Sequence, residues 1–208
     1  MPNDTTTLHG RQRLINAALA LSFQKRSFSS LGIREITREA KLSPPAFYRH
    51  FGDLSDLGTA VIGEVEKAVI QAFSEVRRST EGESDLDIRP LIIRRFFDWA
   101  AANPREVVVG ASEAFGALPK MREGLKSTIQ RVAEEICSDP RISGLLPDLP
   151  PEHLNEVIFS IAQNVFFHAV EYVEHPSDRD AIFERVLRLV DIMFTGAHAL
   201  QALQDGNS

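Results

Sequence analysis

Side chains suited to binding nucleic acid lie close together around residue 48. Tyr48, Arg49 and His50 follow a pair of prolines, Pro44 and Pro45. An arginine can bind a guanine edge through two hydrogen bonds or bind a phosphate, and a tyrosine hydroxyl can donate to a phosphate. These residue types therefore predict contacts with DNA rather than catalysis.

Two short helices joined by a tight turn, over residues 33–53, are predicted to position these side chains. Ser43 can cap the second helix through its side-chain oxygen, and prolines in a first turn lose no helical hydrogen bond. Phe47 and Phe51 are four residues apart and should anchor this helix to its neighbours. The pattern is that of a helix-turn-helix, whose second helix of one and a half turns enters the major groove. On this reading Pro45, Ala46, Arg49 and His50 face the groove, and Arg34, Arg38, Lys41 and Tyr48 can follow the phosphates.

The charge of the chain is unevenly distributed. Its net charge is −6, yet residues 1–58 carry eight basic and five acidic side chains, whereas the remaining residues carry fifteen and twenty-four. Attraction to phosphates acts over about one Debye length, roughly 8 Å at physiological salt. A basic head on an acidic body can therefore bind DNA locally.

Helical periodicity dominates the whole chain, and no alternating strand segment is present. The predicted fold class is all-α, with about nine helices, divided into a head (residues 1–55) and a body (residues 56–208). The first helix is expected at 8–25, the fourth at 54–78, a loop at 79–87, a proline-rich connection at 139–151, and the last two helices at 152–174 and 178–203.

Two groups of apolar residues in the body suggest a pocket and an interface. As a group, the aromatic side chains at helical spacing could enclose an apolar cavity, although any single one of them is more often core. The last two helices are apolar on more than one side, which suits either a second subunit or the centre of a monomer. The predicted pocket residues are Phe96, Trp99, Phe115, Phe159 and Phe166, and the predicted dimer-interface residues are Ile158, Ile161, Val165, Val186, Val190 and Phe194.

Several classes of protein are disfavoured. Cys137 is the single cysteine, so neither an intrachain disulfide nor a thiolate metal cluster is possible, as suits a reducing cytoplasm. No histidine follows a glutamate by three residues, and no glycine-rich phosphate loop occurs, so we expect no enzyme, no metal and no cofactor. No run of roughly 18 apolar residues suggests a membrane span. A helical carrier or scaffold without DNA binding stays open as an alternative.

The head resembles the TetR family of bacterial transcriptional repressors. The resemblance rests on Ile33-Arg34-Glu35-Ile36, Ala40, Phe47 through Phe51 and Leu57. It implies a three-helix DNA-binding head, a helical body that binds a small apolar effector, and a homodimer on a palindromic double-stranded operator. The DNA-facing positions that it implies are Arg34, Ser43, Pro45, Ala46, Tyr48, Arg49 and His50.

Two departures from the family pattern carry structural predictions. Lys41 stands where the family usually has a turn glycine, so either a non-glycine residue adopts a positive φ there or the turn differs slightly. Leu54 replaces a lysine common at the start of the fourth helix, which removes a phosphate contact.

A narrower resemblance links the segments 26–31 and 47–58 to the FabR and DesT type of fatty-acid-unsaturation repressors. That resemblance implies an effector such as acyl-coenzyme A. However, residues 107–113 lack the arginine-rich stretch of that group. A repressor of an efflux or catabolic operon with an unrelated hydrophobic effector is the alternative.

Overall fold

The computed structural model describes residues 4–79 and 87–205, and all regular structure in these ranges is helical. The all-α prediction is confirmed. The described residues form ten α-helices rather than about nine, because the predicted connection at 139–151 contains one short helix. Asp139 caps the first turn of this helix by accepting from the Arg141 N–H at 3.0 Å. The loop predicted at 79–87 lies mostly outside the described residues. The helices are α1 (Asp4–Lys25), α2 (Ile33–Glu39), α3 (Pro44–Phe47), α4 (Leu54–Ser79), α5 (Arg89–Ala102), α6 (Pro104–Glu113), α7 (Pro119–Cys137), α8 (Pro140–Ser143), α9 (Pro151–Glu174) and α10 (Arg179–Asp205), with a 3₁₀ turn at Pro176–Asp178.

One compact unit comprises residues 1–67 and 105–128. Within it α1 packs against both α2 and α3. Its core includes the fully buried side chains of Ile36 and Phe47, with Phe51 also buried. The predicted anchoring of the second helix by its two phenylalanines is therefore confirmed.

The second compact unit comprises residues 68–104 and 129–208. Here α9 packs against α5 and α10. The ring of Phe97 lies at the centre, with its centroid 4.6 Å from that of Tyr172 and 6.4 Å from that of Phe183. Such aromatic pairs contribute about 0.5–1.5 kcal/mol beyond the area they bury. Much of the aromatic content of the body is thus core.

The two units do not follow the predicted boundary at residue 55. Residues 105–128, from α6 and the first half of α7, group with the head, and both α4 and α7 contribute residues to each unit. A compact unit is defined by the contacts within it, whereas a functional domain is defined by what it does, so the two divisions of the chain need not coincide. The functional division into residues 1–55 and 56–208 stays a prediction.

Within the described residues, the segment 176–203 is long and apolar enough to cross a membrane by length and composition alone. Those two criteria do not distinguish a membrane span from a core helix. A single helix of this kind is therefore weak evidence for a membrane protein.

Candidate nucleic-acid interface

The predicted DNA-reading element is shorter than expected. Helix α3 comprises one turn, and Tyr48 caps its C-terminus. Ser43 occupies the N-cap with an extended backbone, but its side chain makes no capping hydrogen bond, so that part of the prediction is wrong. The reason is that Pro44 and Pro45 have no N–H to offer. The first free amide, that of Ala46, donates to the Ser43 carbonyl at 2.9 Å instead.

The two side chains that follow the buried Phe47 are far more exposed than Phe47 itself. Tyr48 exposes 62% of its surface, while its ring makes an edge contact with Phe47 at 5.4 Å between centroids. Arg49 is also exposed. A rigid apolar anchor thus holds a phenol and a guanidinium at the surface. Of the seven positions predicted to face DNA, Arg34, Ser43, Pro45, Tyr48 and Arg49 are exposed, and Ala46 and His50 are half-buried.

The imidazole of His50 lies partly against α1 of the head. A Cβ atom on Gly10 of α1 would lie 2.7 Å from its Nε2, so the imidazole occupies the space that a larger residue would fill. Burial, followed by the positive charges of Arg49 and Arg11, lowers the pKa of His50 below its usual value. The imidazole of His50 thus packs on α1 beside Gly10. Sequence reasoning missed the role of Gly10, for which the chain offers no local signal.

The turn between α2 and α3 shows which of the two alternatives at Lys41 is adopted, a positive φ. This residue has a φ of 52°. The N–H of Leu42 donates to the Thr37 carbonyl at 2.8 Å, and that of Lys41 donates to the Arg38 carbonyl at 3.1 Å. These are the two hydrogen bonds of a Schellman motif, which normally places glycine at this position.

Arg13 of α1 secures the same turn, which the sequence did not suggest. Its Nη2 donates to the Lys41 carbonyl at 3.0 Å. The side chain of Lys41 is exposed, as are those of Arg34 and Arg38. Leu54 instead packs half-buried against the core of the head. The cations available to phosphates on this side of the head therefore come from α2 and the turn.

The head matches a known family. Residues 14–61 match the family model of the bacterial regulatory proteins of the tetR family. The head of this protein is a TetR-family DNA-binding domain. Members of this family are regulators and not enzymes, which agrees with the prediction of a non-enzymatic protein. Among the described residues, no group of three or more histidine, cysteine or acidic side chains could hold a metal ion.

The whole chain shares the fold of solved TetR-type structures. A TetR-family transcription regulator from Shewanella sp. PV-4 is 18% identical over 87% of this chain and 95% of that chain, with a TM-score of 0.68. FadR from Bacillus subtilis, solved with stearoyl-CoA, is 14% identical over 90% and 99%, with a TM-score of 0.62. The multidrug binding protein EbrR, solved with imidazole, is 20% identical over 86% and 93%, with a TM-score of 0.58. The match of the head and the shared fold of the chain thus both point to similarity with TetR-type DNA-binding regulators.

The predicted pocket residues differ widely in exposure. Phe96 is buried and stacks on Trp99 and Phe73, with centroids 5.7 Å and 6.0 Å away. Phe115 exposes 84% of its surface, so the structure places it on the surface rather than in a pocket. Phe166 is buried and Phe159 half-buried. For these four enclosed aromatics, a role in effector binding stays a prediction.

A cavity of about 300 Å³ lies elsewhere in the second unit. Segments of α7 and α9 and the connection before α9 line it, and none of the five predicted aromatics does. Its lining includes Cys137, Leu146, Ile158 and the carboxylate of Glu134, but neither lysine nor arginine. Gln130 donates to Glu134 at 3.0 Å. The lining is therefore mixed, with acidic rather than basic character.

The predicted interface residues on α10 lie on a buried face of that helix in the single chain. Val186, Val190 and Phe194 are buried within the second unit, where α10 packs against α5 and α9. A role for these three residues at a dimer interface stays a prediction. The predicted residues of α9, Ile158, Ile161 and Val165, are half-buried. The large apolar side chains that α10 leaves exposed are Ile192, Leu200 and Leu203, at 66%, 55% and 66%.

Proposed function

We propose that the protein is a homodimeric transcriptional repressor that binds a palindromic operator in the cytoplasm and releases or tightens it on binding a small apolar effector. The observation that carries this proposal is the exposed Tyr48 and Arg49 beside the buried Phe47, within a segment that matches the family model. Arg49 reads a base or a phosphate, Tyr48 donates to a phosphate, and Arg34 with Lys41 follows the backbone.

The DNA-reading role of Arg49 can be tested by substitution with alanine. A guanine contact contributes about 1–3 kcal/mol of discrimination, so Arg49→Ala should lower affinity for an operator selected in vitro by about 5-fold to 150-fold. Arg105→Ala removes another exposed arginine, on α6, and serves as the matched control. Binding should be measured at two salt concentrations, because a loss of phosphate contact alone also lowers the salt dependence. Unchanged operator affinity for Arg49→Ala would rule out this assignment.

The same mobility-shift experiment separates the regulator from a helical carrier or scaffold. A DNA-binding regulator prefers its selected operator over unrelated duplexes at both salt concentrations. A scaffold with a basic head shows only weak binding that disappears as salt is raised.

Dimer formation is proposed through α10 together with the half-buried apolar residues of α9. Ile192, Gly196, Leu200 and Leu203 recur at intervals of three or four residues, and a Cβ on Gly196 would meet nothing within 4 Å. Such a stripe with a small residue at its centre suits close packing of a second copy into a two-fold four-helix bundle. Two heads then meet half-sites about one helical turn, roughly 34 Å, apart.

The proposed interface is tested by Ile192→Asp, with sedimentation measured at micromolar concentration. Burying an unpaired carboxylate is costly, so the variant should become monomeric. Phe115→Asp, which charges another exposed apolar residue, should leave the oligomeric state unchanged. A wild-type monomer that stays monomeric on DNA would refute the dimer.

The effector is proposed to be small and at least partly apolar. The 300 Å³ cavity offers apolar surface with a carboxylate and without basic lining residues, which favours a neutral or cationic ligand. Regulation of an efflux or catabolic operon fits such a ligand.

An acyl-coenzyme A effector is the second candidate, with a role in lipid metabolism. It is supported by the resemblance of segments 26–31 and 47–58 to the FabR and DesT type and by the shared fold with FadR, which was solved with stearoyl-CoA. Native mass spectrometry of protein purified from its host decides between the two candidates. A bound acyl thioester supports the lipid role, whereas a smaller neutral or cationic molecule supports the first candidate.

A further inference from the structure

A buried carboxyl group links the connection before α2 to the end of α6. Glu113 exposes 2% of its surface, and its Oε1 accepts a hydrogen bond from the backbone N–H of Phe28 at 2.8 Å. The two residues are 85 positions apart in the chain. The other oxygen, Oε2, has no hydrogen-bond partner among the described residues. Because a buried polar atom without a partner is costly, Glu113 is a poor choice for packing alone.

Gly116 leaves the space that this carboxyl group occupies. A Cβ atom at Gly116 would lie 2.8 Å from the Glu113 Cδ and closer still to Oε2. Real Cβ atoms essentially never approach another heavy atom within 3.0 Å. A side chain at this position would therefore push the carboxyl group away from Phe28.

Phe28 is also held from a second side, through its ring. A Cβ atom on Gly58 of α4 would lie 3.3 Å from Cε1 of Phe28 and 2.6 Å from Sδ of Met121. Both Phe28 and Met121 are fully buried. The backbone of Phe28 is thus fastened to α6, and its ring packs where α4 meets α7.

We propose that Glu113 is a positioning residue: its hydrogen bond to Phe28 fixes the DNA-binding head on the α6–α7 corner, residues 113–119. This proposal rests on the proposed function. Phe28 lies five residues before α2, and its carbonyl accepts from the N–H of Leu31 at 3.0 Å, so a shift of the corner is passed to the helix-turn-helix. A rigid joint narrows the range of head positions and raises the fraction of dimers that fit both half-sites.

The test uses two variants that break the joint and two that preserve it. Glu113→Met keeps the size of the side chain and removes the acceptor, and Gly116→Ala displaces the carboxyl group. Glu113→Gln retains an acceptor oxygen. Gly63→Ala changes a glycine of α4 whose Cβ would meet nothing within 4 Å. All four are made in the full chain, so Gly116→Ala carries the test if Glu113→Met fails to fold.

Two measurements are made on each variant. Hydrogen exchange of the Phe28 amide, followed by NMR without DNA, should be at least about tenfold faster than in wild type in the first two variants, and no more than about twofold faster in the controls. Affinity for the operator selected by the wild type should fall by at least about fivefold in the first two variants only. The salt dependence of binding should not change, because the phosphate contacts are intact.

The possible failures are distinguishable. If the Phe28 amide stays protected in Glu113→Met and Gly116→Ala, the hydrogen bond does not hold the joint. If exchange accelerates while operator affinity is unchanged or rises, the bond serves stability alone and the positioning role is refuted. If the wild type selects no operator, the proposed function fails and the positioning role fails with it, whatever the exchange rates.

Discussion

Replacing Lys41 with glycine should stabilise the protein while weakening its binding to DNA. Lys41 has a φ of 52° in the turn after α2. A residue with a Cβ pays about 1–2 kcal/mol to adopt the left-handed conformation. Glycine avoids this strain, but the greater backbone entropy that it loses on folding costs about 0.4–1 kcal/mol. The net gain in the free energy of unfolding should be about 0.5–1 kcal/mol, since the hydrogen bond from Arg13 to the Lys41 carbonyl is retained.

Lys41→Gln is the matched comparison, because it removes the charge and keeps the Cβ. Urea unfolding should show that Lys41→Gly is the more stable of the two variants. In thermal unfolding its melting temperature should be about 1–4 °C higher than that of Lys41→Gln. If Lys41 contacts a phosphate, both variants should lower the salt dependence of operator binding by about one counterion. Equal stability of the two variants would refute the strain reasoning, and an unchanged salt dependence would remove Lys41 from the interface.

Three further outcomes are expected. Burial and two neighbouring arginines hold the pKa of His50 below 6.5, so the imidazole binds a proton more readily in the unfolded state than in the folded state. The free energy of unfolding should therefore fall as pH drops through about 6.5, and His50→Gln should reduce that fall. Gly58→Ala should destabilise the protein by about 1 kcal/mol through contact with Met121, whereas Gly63→Ala should stabilise it by about 0.5–1 kcal/mol; equal urea midpoints would contradict this. Burial raises the pKa of Cys137 to about 11, so a disulfide reagent at neutral pH should modify it far more slowly than free cysteine, and an equal rate would show that the thiol is accessible.

The structure of the head could be predicted from the sequence because its signals are local. Two prolines after Ser43 start a helix, and phenylalanines four apart fix which side is buried. The place of Lys41 in the turn left two alternatives, a positive φ or a different turn, and the structure has the first. The missing cap of Ser43 shows the limit of such rules, since Pro45 lacks one of the two N–H groups that a cap can bind and the other, that of Ala46, donates to the Ser43 carbonyl.

Features that depend on distant parts of the chain could not be predicted. The imidazole of His50 lies against Gly10, and Arg13 holds the turn at Lys41. The apolar faces of α10 are similar in sequence, so periodicity alone could not tell that Val190 faces the core and Ile192 the surface. The cavity lined by Glu134 likewise depends on where three separate segments meet.

The 85-residue separation between Phe28 and Glu113 has a consequence for synthesis on the ribosome. The chain emerges from its N-terminus at about 5–20 residues per second, so α1, α2 and α3 exist for several seconds before α6 has been made. During that interval the Phe28 amide has no carboxylate to pair with, and the space beside Gly58 has no Met121 to fill it. Closing such a long loop costs conformational entropy, and this step comes late in folding. A nascent head should therefore be looser than the finished one and acquire its final rigidity only after residue 121 has left the ribosome.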